Sequence, residues 1–287
     1  MEILTYGKPA SPAILLLPDD GMAADVLPTA LKPLEKSFYL LCPVFAAGED
    51  AVSALEARLD KEFTGRIWGA YGLRRGADTL LELLSRKKLR IRTAVVEGAS
   101  ALPAAPLAGI PGRLYYWYRS CDRKAKKLLK ALRAELPAVR TLALKKLKTG
   151  QEFYDIRSDL MVKKLEASFG KAQTVVSSTV INAARPQLWG QLFARPETGA
   201  ISRGLRDGLP LERDDAAYTQ IVEGRTDKLT HWSHLTRLKS LGGSSTEYID
   251  QVEVSAGRFT PLAARFAEVY LRRQQKKRAK ILKKINK

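Results

Sequence analysis

The first 170 residues alternate short apolar runs with helical apolar patterns, and this alternation limits the fold more than any other feature. The run Ile14–Leu17, for example, has the length and continuous apolar content of a strand buried on both faces. The predicted strands are Ile14–Leu17, Phe38–Cys42, Ile67–Tyr71, Thr93–Val96, Arg113–Tyr118 and Val139–Leu144. The predicted helices are Asp25–Leu34, Ala51–Phe63, Ala77–Leu84, Asp122–Leu136 and Asp155–Phe169. The order predicts an α/β domain over residues 1–170, with a parallel sheet covered by helices on both faces.

The third predicted strand runs directly into the sharpest motif of the chain. Residues 66–80 read RIWGAYGLRRGADTL, in which Gly72 and Gly76 flank Arg74 at the spacing of a nucleophile elbow, G-x-S-x-G. Such an elbow joins a strand to a helix through a strained turn, and its central residue is the nucleophile. Arginine stays protonated and cannot attack a carbonyl carbon. The segment therefore predicts the backbone of an elbow without its chemistry.

The order of elements and the elbow together resemble the alpha/beta-hydrolase superfamily over residues 1–170. Position by position, the resemblance implies an oxyanion loop at residues 17–21, a nucleophile at Arg74, an acid at Asp122 and a base at Gln151. The loop reads LPDDG, and its acidic pair is a poor neighbour for a developing oxyanion. Glutamine does not titrate, so it cannot act as a general base. Of these positions, Asp122 alone keeps the residue type that the chemistry needs.

The histidine count bears on the same question. The chain has two histidines, His231 and His234, and both lie far downstream of the hydrolase-like region. A Ser-His-Asp mechanism built from residues 1–170 is therefore impossible. A histidine-free Ser–Lys dyad that uses Ser100 or Ser120 stays open. We predict a pseudoenzyme, with residual esterase chemistry as the alternative.

Arg74 and its neighbour Arg75 have two alternative roles. An arginine on an elbow at the carboxyl edge of the sheet, beside a helix N-terminus, presents a forked cation to a crevice. The pair could bind the carboxylate or phosphate of a ligand. It could also form internal ion pairs with Asp122 or Asp19. Both alternatives stay open at this point.

Residues 174–287 have a different pattern from the first half of the chain. A strand rich in β-branched residues begins at Thr174, and a short helix is predicted over Arg185–Phe193. Extended segments then follow, separated by turn residues. These segments are Tyr218–Glu223, Leu229–Leu241 and Thr246–Ser255. A long helix that begins near Pro261 ends the chain, so a second, α+β domain is predicted.

Several stretches of this half resemble the SRPBCC superfamily of START and Bet v 1-like domains. They are residues 177–189, 248–254, 260–262 and 270–274. The resemblance implies a helix-grip fold, in which a curved antiparallel sheet encloses the long helix and an apolar cavity holds a lipid-like or aromatic molecule. The side chains it implies for that cavity are Trp189, Phe193, Trp232, Tyr248, Phe259, Phe266 and Tyr270. The alternative for each of them is ordinary core packing.

The charge of the chain adds a further hypothesis about partners. The formal net charge is +19, and much of it lies in two blocks, Arg123–Lys148 and Arg272–Lys287. Such blocks can contact nucleic acid or an anionic membrane surface. They can equally be solvated helix faces, because no aromatic residues interleave the lysines.

The remaining motifs concern cofactors and compartment. No glycine-rich phosphate loop, H-E-x-x-H motif or cysteine-pair spacing occurs, so no cofactor and no metal are expected. His231 and His234 are three apart in an extended segment, which places them on opposite faces of a strand. Cys42 and Cys121 are expected to be buried thiols of a cytoplasmic protein, because there is no signal peptide and no apolar run of membrane-spanning length.

These observations lead to one functional expectation. We expect a two-domain protein that binds a hydrophobic or amphipathic anionic small molecule, or is regulated by one, without catalysis.

Overall fold

The computed structural model describes the chain in two compact units, Met1–Phe169 and Gly170–Lys287. It leaves out residues 10, 47, 64, 111, 145–152, 171, 194–210, 217, 225–228, 230, 243 and 286–287. In residues 192–193, 211–214 and 277–285 it describes the backbone alone. Among the described helices, none combines the length and the apolar composition needed to cross a bilayer.

The first unit is built on a seven-stranded, mostly parallel sheet. The described strands of the unit are β1 (Glu2–Tyr6), β2 (Ala13–Leu17), β3 (Tyr39–Val44), β4 (Arg66–Ile67), β5 (Gly69–Leu73), β6 (Arg90–Ile91), β7 (Thr93–Glu97), β8 (Arg113–Arg119) and β9 (Arg140–Leu144). Two of them, β4 and β6, lie outside the large sheet. The order is β1-β3-β2-β5-β7-β8-β9, and β4 pairs only with β6. The edge strand β1 is antiparallel to β3, while the other neighbours in the large sheet are parallel. The parallel sheet expected from the alternation is therefore present.

Helices connect the parallel strands. They are α1 (Val26–Ala30), α2 (Ala51–Phe63), α3 (Arg75–Arg86), α4 (Arg123–Glu135), α5 (Phe153–Ile156) and α6 (Ser158–Phe169). The helix predicted over Asp25–Leu34 is instead the short α1 followed by a 3-10 turn, Lys32–Lys36. Pro33 explains the break, because its ring removes a backbone N–H and clashes with the preceding turn of an α-helix.

Both faces of this sheet are covered. Ile14 and Leu15 alternate along β2, and each is fully buried. Leu15 belongs to the core cluster that α2 and α3 complete. On the opposite face, a Cβ placed on Gly69 would lie 2.5 Å from the Phe169 ring and 2.7 Å from Ile14 Cδ1. The missing side chain at Gly69 therefore lets α6 pack directly onto the sheet.

The second unit has an antiparallel sheet and a long final helix, as the sequence predicts. Its elements are β10 (Gln173–Ile181), α7 (Arg185–Phe193), β11 (Leu211–Asp214), β12 (Thr219–Gly224), β13 (His231–Gly242), β14 (Ser245–Ser255), a 3-10 turn (Gly257–Phe259) and α8 (Thr260–Ile285). The strand order is β10-β14-β13-β12-β11. The first strand of the unit, β10, thus pairs with its last strand, β14. Strands β11 to β14 form an antiparallel meander.

The helix α8 packs on one face of this sheet. Ala267 and Leu271 of α8 form a buried cluster with Trp232, Val252 and Val254 of β13 and β14. A second cluster joins α7 to the other end of the same strands. Its members are Ile181, Ala183, Leu188, Trp189, Leu238 and Tyr248. The unit therefore has a core of its own.

Candidate functional site

The elbow predicted at residues 72–76 is present, with an arginine at its tip. Arg74 has φ 51° and ψ −108°, a strained conformation for a residue with a side chain. A Cβ on Gly72 would lie 2.5 Å from the Gly76 carbonyl oxygen, and one on Gly76 would lie 2.2 Å from the Leu17 carbonyl oxygen. The two glycines therefore permit the close approach of α3 to β5 and to the loop after β2. The turn between them holds Arg74 at the carboxyl edge of the sheet.

An internal carboxylate contacts this elbow. Arg74 Nη1 lies 3.3 Å from Asp19 Oδ2, and the backbone N–H of Arg75 donates to Asp19 Oδ1 at 3.2 Å. Arg75 Nε lies 3.8 Å from Asp20 Oδ2. In a hydrolase elbow, the N–H that follows the nucleophile belongs to the oxyanion hole. Asp19 therefore places a negative charge where a hydrolase binds the oxyanion, and it forms the internal pair that the sequence left open.

Arg74 opens onto a cavity of about 370 Å³ at the carboxyl ends of β5, β7 and β8. This edge is where open α/β sheets bind their ligands. Three arginines and three acids contribute to the lining, together with apolar and small side chains. The lining residues are Leu73, Arg74, Arg75, Asp78, Glu97, Gly98, Ser100, Tyr118, Arg119, Asp122 and Ala125.

The three acids of the cavity have structural hydrogen bonds. Asp78 accepts from the Ser100 hydroxyl at 2.6 Å and from the Ser100 N–H at 2.7 Å. Asp122, the implied catalytic acid, is the N-cap of α4 and accepts from Ala125 N at 3.0 Å. Glu97 is buried, and it accepts from the Tyr71 hydroxyl at 2.8 Å. Sequence reasoning missed Glu97, although its place at the end of a buried strand was an available signal.

The described part of the cavity lacks the base of a Ser–His or Ser–Lys mechanism. Its described lining contains no lysine and no histidine. The Ser100 hydroxyl donates to Asp78, and Ser120 is absent from the described lining. Gln151, which stands at the implied base position, lies outside the described residues. A Ser–Lys dyad at Ser100 is therefore not assembled here.

Tyr116 lies beneath the same edge and does not supply a base either. Its hydroxyl donates to the Ala125 carbonyl oxygen at 3.3 Å, and its side chain is fully buried. Burial raises the pKa of Tyr116 well above its usual value, and the negative charges of Asp122 and Asp78 raise it further. The phenol therefore stays protonated across the physiological range.

In the second unit, four of the residues implied for a ligand cavity lie in or beside the packed core. Trp189 Nε1 donates to Asp215 Oδ1 at 2.6 Å, and its ring meets Tyr218 edge-on at 5.7 Å. Tyr248 is buried in the same cluster. Trp232 and Tyr270 are in edge-on contact at 6.2 Å in the other cluster. The side chain of Phe193 lies outside the described residues.

The expectation that Phe259 and Phe266 face an enclosed cavity is wrong. Their side chains are 56% and 70% exposed. The side of α8 that meets the sheet carries Ala264, Ala267 and Leu271, which are all buried. Phe266 is on the opposite side of the helix, and Phe259, seven residues earlier in the 3-10 turn, precedes it on the same side. The helix has two apolar stripes, and the sequence pattern alone did not say which one packs.

A buried polar layer lies between the two clusters of the second unit. Asp250 is fully buried, and its Oδ1 accepts from Thr236 Oγ1 at 3.0 Å and lies 2.8 Å from His234 Nε2. On α8, Gln275 accepts from the Ser177 hydroxyl at 2.6 Å. Sequence reasoning missed this layer, although Asp250 shares its side of the last strand with Tyr248, Val252 and Val254.

The two cysteines differ in environment. Cys42 is buried, as expected, whereas Cys121 is exposed, so the expectation of two buried thiols is wrong. Cys121 follows the end of β8, on the loop that leads to α4. Burial, and secondarily the charge of Glu35, raises the pKa of the Cys42 thiol to about 12. Among the described residues, no group of three potential metal ligands is assembled.

The sheet order, the elbow and the carboxyl-edge cavity define the first unit as an alpha/beta-hydrolase fold. The chain is similar to a putative alpha/beta hydrolase family protein from Desulfitobacterium hafniense, with a TM-score of 0.51 and 10% identity over 59% of this chain and 100% of that one. It is also similar to a Paleococcus ferrophilus monoacylglycerol lipase (TM-score 0.47, 10% identity, 58% and 98% of the two chains). A lipase-esterase related protein from Clostridium acetobutylicum matches with a TM-score of 0.46 and 11% identity over 58% and 98%.

At these identities the likeness concerns the fold alone. No family model matches the sequence, and no curated protein matches it.

Proposed function

We propose that the chain is a non-catalytic binding protein whose first unit takes a small amphipathic anion in the cavity at Arg74. The anion would be a carboxylate or phosphate attached to an apolar chain. One observation supports this most: Arg74 stands at the tip of a strained elbow, where its guanidinium is 45% exposed and contacts Asp19 at 3.3 Å. Strained backbone of this kind is concentrated at functional sites, because it costs about 1–3 kcal/mol to keep.

The lining of the cavity supports an anion rather than a cation. The acids Asp78, Glu97 and Asp122 accept short hydrogen bonds from structural donors, at 2.6, 2.8 and 3.0 Å. The contacts of Arg74 and Arg75 with the Asp19–Asp20 loop are longer, at 3.3 and 3.8 Å. We therefore infer that the arginines, rather than the acids, meet an incoming anion. An incoming anion would replace Asp19.

The elbow also supplies geometry for such a ligand. A guanidinium presents a planar fork that matches a carboxylate or phosphate. The N–H of Arg75, at the first residue of α3, adds the positive end of a helix dipole. Leu73, Tyr118 and Ala125 offer apolar surface for a short chain.

Catalysis is not part of the proposal. Arg74 cannot form an acyl intermediate, and the charge of Asp19 opposes a developing oxyanion. The described lining adds neither histidine nor lysine as a base. An ester that enters the cavity would therefore be bound and released unchanged.

Isothermal titration calorimetry of the full chain with decanoate and with octyl phosphate tests the proposal. Arg74→Gln should weaken binding by about tenfold to a hundredfold, the usual effect of losing a charged hydrogen bond. Asp19→Asn should tighten it, because the internal competitor loses its charge. Arg58→Gln is the matched control, since Arg58 pairs with Glu62 on α2, away from the cavity. Equal affinities for Arg74→Gln and the unmodified chain would contradict the proposal.

Residual esterase chemistry is the alternative, because the fold is that of hydrolases and Ser100 lines the cavity. The unmodified chain should not cleave p-nitrophenyl butyrate above the rate of the Ser100→Ala variant. It should also remain unlabelled by a fluorophosphonate probe. Labelling of Ser100 in a folded chain would favour the esterase.

For the second unit, we infer a helix-grip module of the START-like class. Two features support this: β10 pairs with β14, and α8 lies against the face of the sheet that carries Trp232. The ring centres of Tyr270 and Trp232 are 6.2 Å apart. A lipid-like molecule between helix and sheet would have to move these two rings apart. Native mass spectrometry of the chain purified from its host tests for such a molecule. A chain that carries no added mass would favour a solid core over a ligand cavity.

A further inference from the structure

A second apolar stripe, which the sheet does not cover, begins at Phe259 in the 3-10 turn and continues along the long helix α8 (Thr260–Ile285). Phe259, Leu262, Phe266 and Val269 are 56%, 57%, 70% and 44% exposed. Their spacing of three, four and three residues keeps them on one side of the helix. We call these four residues the outer stripe. Single exposed apolar residues are ordinary, but four in a row on one helix face mark an interaction surface.

Cations flank the outer stripe. Arg258 and Arg265 are exposed beside it, and Arg272, Arg273 and Lys276 are exposed on the next turns. Residues 260–287 contain ten basic residues and a single acid, Glu268. That acid is already engaged, because its carboxylate lies 2.6 Å from Arg272. The surface around the outer stripe is therefore strongly positive.

Apolar and cationic groups are arranged here in sequence along one helix. The apolar residues occupy its first turns, and the lysines and arginines dominate from Arg272 onward. An interfacial helix has this composition: its apolar side chains enter the boundary between headgroups and acyl chains, and its cations meet the lipid phosphates. We propose that α8 docks the protein on an anionic lipid bilayer through the outer stripe and the adjacent cations.

A bilayer fits these residues better than a nucleic acid does. Single-stranded nucleic acid is bound by aromatic side chains interleaved with cations, on which the bases stack. The outer stripe contains aliphatic Leu262 and Val269, which have no planar face to offer a base. Its apolar residues also lie apart from the densest run of cations. A hydrocarbon boundary below a layer of phosphates matches both properties.

Vesicle co-sedimentation of the full chain tests the proposal. The vesicles contain phosphatidylcholine and phosphatidylglycerol at a ratio of 7:3, and vesicles of phosphatidylcholine alone serve for comparison. The chain should bind the anionic vesicles, and the binding should weaken as salt is added. Phe266→Ser should weaken it by about tenfold or more, because a large apolar side chain no longer enters the boundary. Arg273→Gln should weaken it by about fivefold, the effect of one cation near such a surface.

Val180→Ser is the matched control. Val180 is 59% exposed on β10, and it alternates with Thr179, whose hydroxyl contacts Gln275 of α8. Its side chain therefore points to the sheet face away from the helix, and its loss should leave vesicle binding unchanged. Phe266→Ser and Val180→Ser both change exposed residues, so circular dichroism should show the same fold for each.

Three outcomes would overturn the proposal. The first is that the unmodified chain binds both vesicle types with equal affinity and that Phe266→Ser leaves this affinity unchanged. The second is binding of a single-stranded oligonucleotide, but of no vesicle, that survives Phe266→Ser. The third is a dimer that Phe266→Ser dissociates while no vesicle is bound, which would assign the outer stripe to a second copy of the chain. Each outcome is independent of anion binding at Arg74.

Discussion

At the scale of single residues, the turn at residues 72–76 has the backbone geometry of a nucleophile elbow and carries an arginine at its tip. Glycine is required at positions 72 and 76, because a Cβ there would lie 2.5 Å from the Gly76 carbonyl oxygen and 2.2 Å from the Leu17 carbonyl oxygen, respectively. Arg74 occupies the strained position between them, with φ 51° and ψ −108°. The turn is thus determined by packing around it, and the residue at its tip is free to change.

The close packing at Gly76 can be tested directly. Gly76→Ala should lower the free energy of unfolding by about 3 kcal/mol, because its methyl group meets backbone atoms that cannot move aside. Gly190→Ala is the control, since a Cβ on Gly190 in α7 meets nothing within 4 Å. It should raise stability by up to about 1 kcal/mol through helix propensity. Urea unfolding measures both, and equal effects would contradict the steric account.

The two cysteines should differ in reactivity. In the native protein, iodoacetamide should label exposed Cys121 at pH 8 and leave Cys42 unlabelled. Burial raises the pKa of Cys42 from its usual 9.0 to about 12, so the thiol should stay protonated and unreactive up to about pH 10. Mass spectrometry of labelled peptides measures this, with denatured protein as the control in which both react. Labelling of Cys42 that rises near pH 9 in native protein would contradict it.

The same pKa has a consequence for stability. The thiol of Cys42 binds its proton more tightly in the folded chain than in the unfolded chain. The protonated thiol therefore contributes fully to the free energy of unfolding below about pH 9, and this contribution is lost as the pH rises through about 12.

At the scale of secondary-structure elements, the second unit depends on a polar contact between β13 and β14. Thr236 and Asp250 are register partners, and Asp250 Oδ1 accepts from Thr236 Oγ1 in a fully buried position. His234 Nε2 lies 2.8 Å from the same oxygen. Buried polar groups cost free energy when they lose their partners, so this layer specifies the register of the two strands.

Removal of the carboxylate should therefore destabilise the second unit. Asp250→Ala should cost about 3 kcal/mol, because the Thr236 hydroxyl and the His234 ring lose a buried acceptor. Asp250→Asn should cost less, since the amide keeps an acceptor oxygen. Glu253→Ala changes a partly exposed acid on the same strand and should stay within about 0.5 kcal/mol. Hydrogen exchange in β13 and β14 measures the effect, and an equal loss for all three variants would contradict it.

At the scale of the whole molecule, each unit has a core that could sustain it alone. The first unit contains a cluster that spans β2, β5 and three of its helices, and the second contains the clusters of α7 and α8 with the antiparallel sheet. The boundary falls between Phe169 and Gly170. Units with separate cores usually fold separately.

The independence of the units can be measured with the variants named above. Gly76→Ala should lower the urea midpoint of the first unit only, and Asp250→Ala that of the second only. Their effects should add in the double variant, because distant sites without shared partners are additive. Hydrogen exchange followed by mass spectrometry assigns each transition to a unit. A single transition that both variants shift together would contradict independent folding.

Much of the architecture could be predicted from the sequence because it follows from local patterns. Continuous apolar runs such as Ile14–Leu17 identify buried strands, and the alternation in residues 246–254 is typical of a half-exposed strand. The glycine spacing around Arg74 identifies the elbow. The short edge strands β1 and β11 were missed, because β1 mixes exposed with half-buried residues and the sequence of β11, LERD, is mostly charged, so neither has such a pattern.

The candidate sites depended on contacts that are distant in the sequence. The contact of Asp19 with Arg74 joins residues 55 apart, and that of His234 with Asp250 joins residues on neighbouring strands. On α8, both apolar stripes have helical spacing, so the pattern alone could not tell that the stripe of Ala267 and Leu271 packs on the sheet. The sequence by itself determined most element types and the absence of histidine from residues 1–170, since both depend on residue identity and local spacing. Only the tertiary structure decided which charges meet and which stripe is exposed, because those depend on how distant segments pack.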